Sequence, residues 1–230
     1  MPRGGEPSDG TSCGHRVTSV VRWLSHRPGS RSERLASGSL PLKIASAYLV
    51  CGALWLGIAW IIVAHGEATM IEDGAFLCQG PRCHLFFVGD GVPFKNFELK
   101  VEVMTEPGAN GGIYFHTAYQ ETGWPKAGFE TQVNNTQSDW KKTGSVYDVA
   151  SVGFAVAEDR KWWTQHIIVQ GDTVTVKVDG KMVVQYKEPP GAQPGPNFTR
   201  KLGSGTFALQ AHDPKSVVRY RNIRVKRLPD

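Results

Sequence analysis

From about residue 70 to its end, the chain is broken into short segments in which apolar and polar residues alternate, and this constrains the fold more than any other feature. Alternation at a period of two puts one kind of side chain on each face of a strand. "HLFFVG", "FELKVEV", "GGIYFHTA", "GFETQVNN", "WWTQHIIVQ", "TVTVKVDG", "KMVVQYKE", "GTFALQAH" and "VVRYRNIRVKRL" all read this way. "VDGK" sets an Asp-Gly pair between two alternating runs, a strong hairpin signal. "EPPGAQPGPNFTRKLGSG" carries too much proline and glycine for regular structure and reads as a long surface loop. No amphipathic segment of helical period occurs in this part. The expectation is an all-β fold: a two-sheet antiparallel jelly-roll sandwich, concanavalin- or laminin-G-like, over residues 70–230.

What precedes it is different. Residues 1–43 hold seven Lys and Arg against three acidic residues and read as a basic, disordered tail. They account for most of the formal net charge of +5, leaving 19 basic against 18 acidic residues in the remainder. No basic stripe is left for the strand-rich part, which argues against nucleic acid as a partner. "IASAYLVCGALWLGIAWIIVA", residues 44–64, has no charge and is long enough for one membrane-crossing helix. Positive charge ahead of it predicts a cytoplasmic tail and an exported, periplasmic or otherwise extracytoplasmic domain. Two readings stay open: a signal peptide cut after Gly66 or Ala68, and an uncleaved anchor that tethers the domain to the membrane. Only Cys78 and Cys83 ("CQGPRCH") fall in the exported part, where a hairpin over "QGPR" is compatible with a disulfide.

Three strands pair an oily face with a row of chemistry. On "GFETQVNN", Phe129, Thr131 and Val133 alternate with Glu130, Gln132 and Asn134. On "GGIYFHTA", Tyr114 and His116 share one face; on "GTFALQAHD", Gln210 and His212 do. A plain solvated sheet shows such rows too, though usually richer in Lys and Thr. Amides, a carboxylate and aromatic rings together suit a sugar, whose hydroxyls hydrogen-bond in pairs and whose C–H faces stack on rings.

"NFELKVEVMTEPGANGGIYFH", "GFETQVNN", "KKTGSVYDVAS", "GTFALQAHD" and "YRNIRVKRL", in this order, resemble the 3-keto-disaccharide hydrolase family over residues 71–228. The resemblance implies a concanavalin-like jelly roll acting on glycosides whose C3 hydroxyl is already a ketone. Such a ketone acidifies the C2 proton; its removal gives an enolate that expels the C1 substituent, and water adds back. The route calls for a base near C2, a positive group or metal near the C3 oxygen, and a proton source for the departing oxygen. By the resemblance, Glu130 and His212 are the candidate catalytic residues. Tyr114, His116, Gln132, Asn134, Tyr147 and Gln210 are candidates for binding substrate, and Arg221-Asn222-Ile223 matches the closing motif. His116 stands where the family often has Arg, exchanging a permanent charge for one that titrates near neutrality. "NGG" at 110–112 replaces the commoner Asn-Ser-Gly.

Each candidate also has a structural reading. His212 is a base, a metal ligand, or a strand histidine satisfied by a neighbour; Glu130 is an acid/base, a ligand, or a sugar hydrogen-bonder. A divalent metal on Glu130, His212 or His116 suits the residue types, but the spacing is no recognised metal signature. Trp162 and Trp163 must face opposite sides, and His166 reads as structural. Two functions follow: an exported hydrolase or lyase of 3-keto-glycosides, or a non-catalytic carbohydrate-binding module on the same sandwich.

Overall fold

The computed structural model describes residues 69–89 and 91–230; the basic tail and the apolar span 44–64, with its proposed export role, lie outside them. Within them the protein is all-β, with eleven strands and no helix. These are β1 (Thr69–Glu72), β2 (Ala75–Cys78), β3 (Cys83–Phe86), β4 (Phe97–Thr105), β5 (Gly111–Thr117), β6 (Phe129–Val133), β7 (Trp163–Gln170), β8 (Thr173–Val178), β9 (Lys181–Lys187), β10 (Thr206–Ala211) and β11 (Val218–Arg227). They form a seven-stranded sheet, β1-β2-β11-β4-β7-β8-β9, and a four-stranded sheet, β3-β10-β5-β6. All pairings are antiparallel.

The alternation builds the core as expected. Leu99, Val101 and Val103 of β4 and Val174, Val176 and Val178 of β8 face Ile113, Phe129 and Phe207 from the smaller sheet in one buried cluster. Asp179 and Gly180, at φ of 47° and 79°, turn β8 into β9 with Val178 opposite Lys181, the backbone hand that an Asp-Gly hairpin supplies. Trp163 is buried in the core, whereas Trp162 lies outside with the Arg221 guanidinium 3.8 Å from its ring centre. Residues 188–205 contain no strand, as their composition predicts.

Two local expectations are corrected. "CQGPRC" is not a hairpin: β2 belongs to the large sheet and β3 to the small one, so the segment crosses between sheets. Cys78 and Cys83 are free and buried, each sulfur 3.9 Å from the same Thr69 hydroxyl. The Arg221-Asn222-Ile223 motif forms a β-bulge opposite β4, with Asn222 at φ 48°. Arg221 Nε and Asn222 Nδ2 each donate to Glu102 at 2.8 Å, on the outer face of the seven-stranded sheet. That motif is a clamp on the sheet, remote from the Glu130 row.

Candidate active site

The outer face of the four-stranded sheet carries the chemistry. β6 does not form the edge of this sheet in full. Residues 144–147 run beside it: Ser145 O accepts from Gln132 N, and Glu130 O accepts from Tyr147 N, both at 2.9 Å. Register then lays Tyr147, Glu130 and Tyr114 across three adjacent segments. A second row runs beside the first. Gln132 pairs with Gly112, and Gln210 pairs with His84; since Leu209 is opposite Ile113, Gln210 comes opposite Gly112.

Glu130 occupies the gap that Gly112 leaves. A Cβ on Gly112 would fall 2.3 Å from Glu130 Oε1, so any side chain there displaces the carboxylate. Tyr114 Oη donates to Glu130 Oε2 at 2.8 Å, and Gln210 Nε2 donates both to Glu130 Oε1 at 3.2 Å and to Tyr114 Oη at 2.9 Å. Glu130 is 6% exposed, and burial pushes its carboxyl up to about 7 despite these donors. Burial, with the Glu130 charge beside it, also holds the Tyr114 hydroxyl far above the ordinary tyrosine value, so it stays a proton donor. The cation of this triad comes from the proline-rich loop. Arg200 lies 5.8 Å from the Tyr147 ring centre and draws both Glu130 and Tyr114 back toward ionisation, without forming an ion pair with Glu130.

The other sequence candidates are distributed more widely. Tyr147 sits at the rim, with Lys141 Nζ 4.0 Å from its ring centre and its hydroxyl 3.3 Å from Asp139. Gln132 lies on the predicted face but is buried, its Nε2 meeting no protein partner. Asn134, beyond the end of β6, turns to the loop and donates to the carbonyls of Asp139 and Lys141, which makes it a loop fastener. His116 leaves the face altogether. Thr117 pairs with Thr206 and Phe115 with Phe207, so His116 is the extra residue of a bulge, at φ 53°. Its ring packs against Phe97 and Phe115, Nε2 meets Lys95 O at 2.8 Å, and Nδ1 accepts from Gly203 N at 3.2 Å.

His212 shares the face with Glu130 but not a contact. β10 runs parallel to β6, so the two residues lie on opposite sides of the Gln132–Gly112–Gln210–His84 row. Half-buried His212 meets Asp213 Oδ2 at 2.8 Å through Nδ1, and its ring lies 5.3 Å from that of Trp124. Asp213 is itself anchored by Ser216 Oγ and the backbone N–H of Lys215. The three groups offered for a metal therefore do not converge. Both ring nitrogens of His116 are engaged, and His84 and Gln210 separate His212 from Glu130. Among the described residues, no group of three or more His, Cys, Asp or Glu is arranged to hold a metal ion.

Three residues escape the sequence reading. Arg200 sits in a loop without periodicity, and Trp124 in the turn "ETGWPKAG". His84 was legible as a strand residue, yet nothing in "HLFFVG" marks it as the fourth member of the row.

A sandwich with a buried carboxylate, tyrosine and amide on one open sheet face has the form of a carbohydrate-handling domain, and the comparisons with known proteins agree. Residues 56–226 match the family described as the 3-keto-alpha-glucoside-1,2-lyase-like domain, and the chain belongs to that family. A search of curated proteins finds no match. Among solved structures it is similar to a candidate glycosyl hydrolase from Parabacteroides distasonis ATCC 8503, with a TM-score of 0.59 and 19% identity, covering 71% of this chain and 84% of that one. A second structure of that description, from the same organism, gives 0.57 and 20%, covering 70% and 91%. The carbohydrate binding module CBM66 from Bacillus subtilis gives 0.51 and 11%, covering 69% and 90%. At these identities the likeness is one of fold.

Proposed function

We propose that the protein is a hydrolase of 3-keto-glycosides working by elimination and hydration, with Glu130 as the base. The observation that carries this reading is a buried carboxyl that accepts from the Tyr114 hydroxyl at 2.8 Å, burial pushing the carboxyl up to about 7. A base poised near the working pH is what abstraction of an acidified C–H proton calls for. Glu130 takes the C2 proton, and the electron pair moves into the enolate of the C3 ketone. Arg200 faces the charge that builds on the enolate oxygen. The enolate collapses, the C1–O bond breaks, and the departing oxygen takes the Tyr114 proton as Glu130 passes its own to Tyr114 across 2.8 Å. Water then adds at C1, with a proton returning to C2. Gln210 holds both partners in place, and Tyr147 closes the rim. His212, expected as a base or metal ligand, stands at the far end of the face and takes no direct part in this transfer.

The test is release of the sugar bearing the ketone from a 3-keto-glucoside by the full-length protein, compared with Glu130→Gln. Loss of release with folding intact supports the reading. A second reading, a non-catalytic sugar-binding module, rests on the same hydrogen bonds, since both Glu130 oxygens already accept from the protein. Saturable sugar binding without release by the wild type would decide for the module. We also propose that residues 44–64 carry the domain out of the cytoplasm, on the strength of their uncharged run behind a basic tail. Resistance of residues 70–230 to external protease in spheroplasts expressing the chain would refute export.

A further inference from the structure

We infer that His116 is a positioning residue: through the backbone of Gly203 it holds the proline-rich loop so that Arg200 faces Glu130 and Tyr114. The use made of that cation rests on the reaction proposed above; the placement does not. Arg200 needs holding. It stands at φ 42°, a conformation that residues other than glycine rarely adopt, and its Nε is buried with no protein partner. Its place is therefore set by the chain on either side. On one side Thr199 N donates to Lys126 O and Gly128 N donates to Thr199 Oγ1, both at 2.8 Å. On the other, Gly203 N donates to His116 Nδ1 at 3.2 Å. Two residues farther on, Gly205 and Phe94 exchange backbone hydrogen bonds. A Cβ at Gly205 would fall 2.3 Å from Thr117 O, so glycine lets the chain close on the bulge that turns His116 off the face.

The contact asks for a neutral imidazole in one tautomer. Lys95 O can only accept, so Nε2 carries the proton and donates to it at 2.8 Å; Gly203 N can only donate, so Nδ1 is bare. Burial holds the imidazole below its ordinary value, against the pull of the Lys95 carbonyl and the Glu188 charge. Nδ1 therefore stays free to accept at neutral pH. An arginine, which offers donors alone, could not take the Gly203 N–H. The ring is also clamped: Phe97 and Phe115 pack edge-on against it, at 5.6 and 5.5 Å, which leaves Nδ1 turned to the loop. Glu188 accepts from Leu202 N at 2.6 Å, but this ties the loop to its own start. His116 ties it to the four-stranded sheet.

The test reads Glu130, the group on which Arg200 acts, by carbon NMR of protein labelled in its glutamate side chains, the signal being assigned by its loss in Glu130→Gln. Arg200 draws Glu130 toward ionisation, so its withdrawal raises the titration midpoint. Arg200→Gln should move that midpoint up by about one unit. His116→Phe keeps a ring against Phe97 and Phe115 and removes both nitrogens. Gly203→Pro removes the donated N–H from the loop side, where an added side chain meets open space. Each should move the midpoint part of the same way, and adding His116→Phe to Arg200→Gln should move it no further. His116→Asn, whose Oδ1 takes the place of Nδ1 and which tolerates positive φ, should restore the wild-type midpoint. On a 3-keto-glucoside, His116→Phe should lower kcat about tenfold and Arg200→Gln about a hundredfold. The double variant should equal Arg200→Gln, with KM little changed in all three. An unmoved midpoint in His116→Phe and Gly203→Pro, a shift that adds to that of Arg200→Gln, or failure of His116→Asn to restore it overturns the inference. If the wild type releases no sugar, the proposed reaction fails, while the titration still decides the placement.

Discussion

The outer faces of the two sheets are both polar, yet they are built on opposite terms. On the seven-stranded sheet the charges answer one another in water. Glu102 takes Arg221 and Asn222, Glu98 meets His166 and Lys226, and Arg219 bridges Glu72 and Glu106. On the four-stranded sheet the polar groups are buried, and several atoms go unanswered: Gln132 Nε2, Gln210 Oε1 and His84 Nε2. Exposed pairs contribute at most about 1 kcal/mol each, so the first face is surface upkeep. Buried, half-satisfied polar groups cost stability, and on this face three of them, on Gln132, Gln210 and His84, lie in one row across the sheet. The contrast is what singles out this face for the proposed site.

The sharpest way to break the contrast is at Glu130. Glu130→Gln should lower turnover on a 3-keto-glycoside by at least about a thousandfold, and Tyr114→Phe by about a hundredfold or more, read as initial rates on protein whose circular dichroism is unchanged. His212→Ala should lose far less than either; a loss as large as that of Glu130→Gln would return a catalytic role to His212. Gly112→Ala comes next. Its Cβ must push the Glu130 carboxylate aside, and a displacement of that size should cost about a hundredfold in kcat with a fold that still melts cooperatively.

A pH comparison sharpens the same point. Activity should rise with pH through a midpoint near 7, as Glu130 becomes a carboxylate. Stability should move the other way. A carboxyl raised from 4.5 to about 7 by burial favours the folded state while it is protonated, fully below its unfolded value, and loses this as pH rises through 7. Relative to Glu130→Gln, the wild type should therefore lose on the order of 3 kcal/mol between pH 4 and pH 9, measured by urea unfolding at each pH. The smallest effect belongs to the other sheet. Glu102→Gln should change stability by about 1 kcal/mol or less and leave turnover untouched; a large loss of turnover there would end the distinction between the two faces.

Much of this was legible in the sequence, for reasons that also explain what was not. Alternation placed Tyr114, Glu130, Gln132 and Gln210 on one face because β5, β6 and β10 are regular there. It failed at His116, where a bulge inserts a residue and inverts the alternation. It failed at Asn134, one position past the end of β6, where the side chain serves the loop. β1 and β2 went unread although Asp73–Gly74 turns them, with Glu72 opposite Ala75, by the same device as Asp179–Gly180. Four-residue strands show too little alternation to stand out. Arg200 and Trp124 lie in loops, whose three-dimensional course no periodic pattern encodes. Strand order was equally hidden: that β3 joins β10, and brings His84 beside Gln210, is a non-local pairing.

The central claim, that Glu130 removes the C2 proton, is tested most directly by following exchange at C2 of a 3-keto-glucoside in D2O by proton NMR. The account predicts that the wild-type protein brings deuterium into C2 of the recovered sugar and that Glu130→Gln does not. Wild-type exchange rates in Glu130→Gln, or glycoside release by the wild type with the C2 proton fully retained, would contradict it.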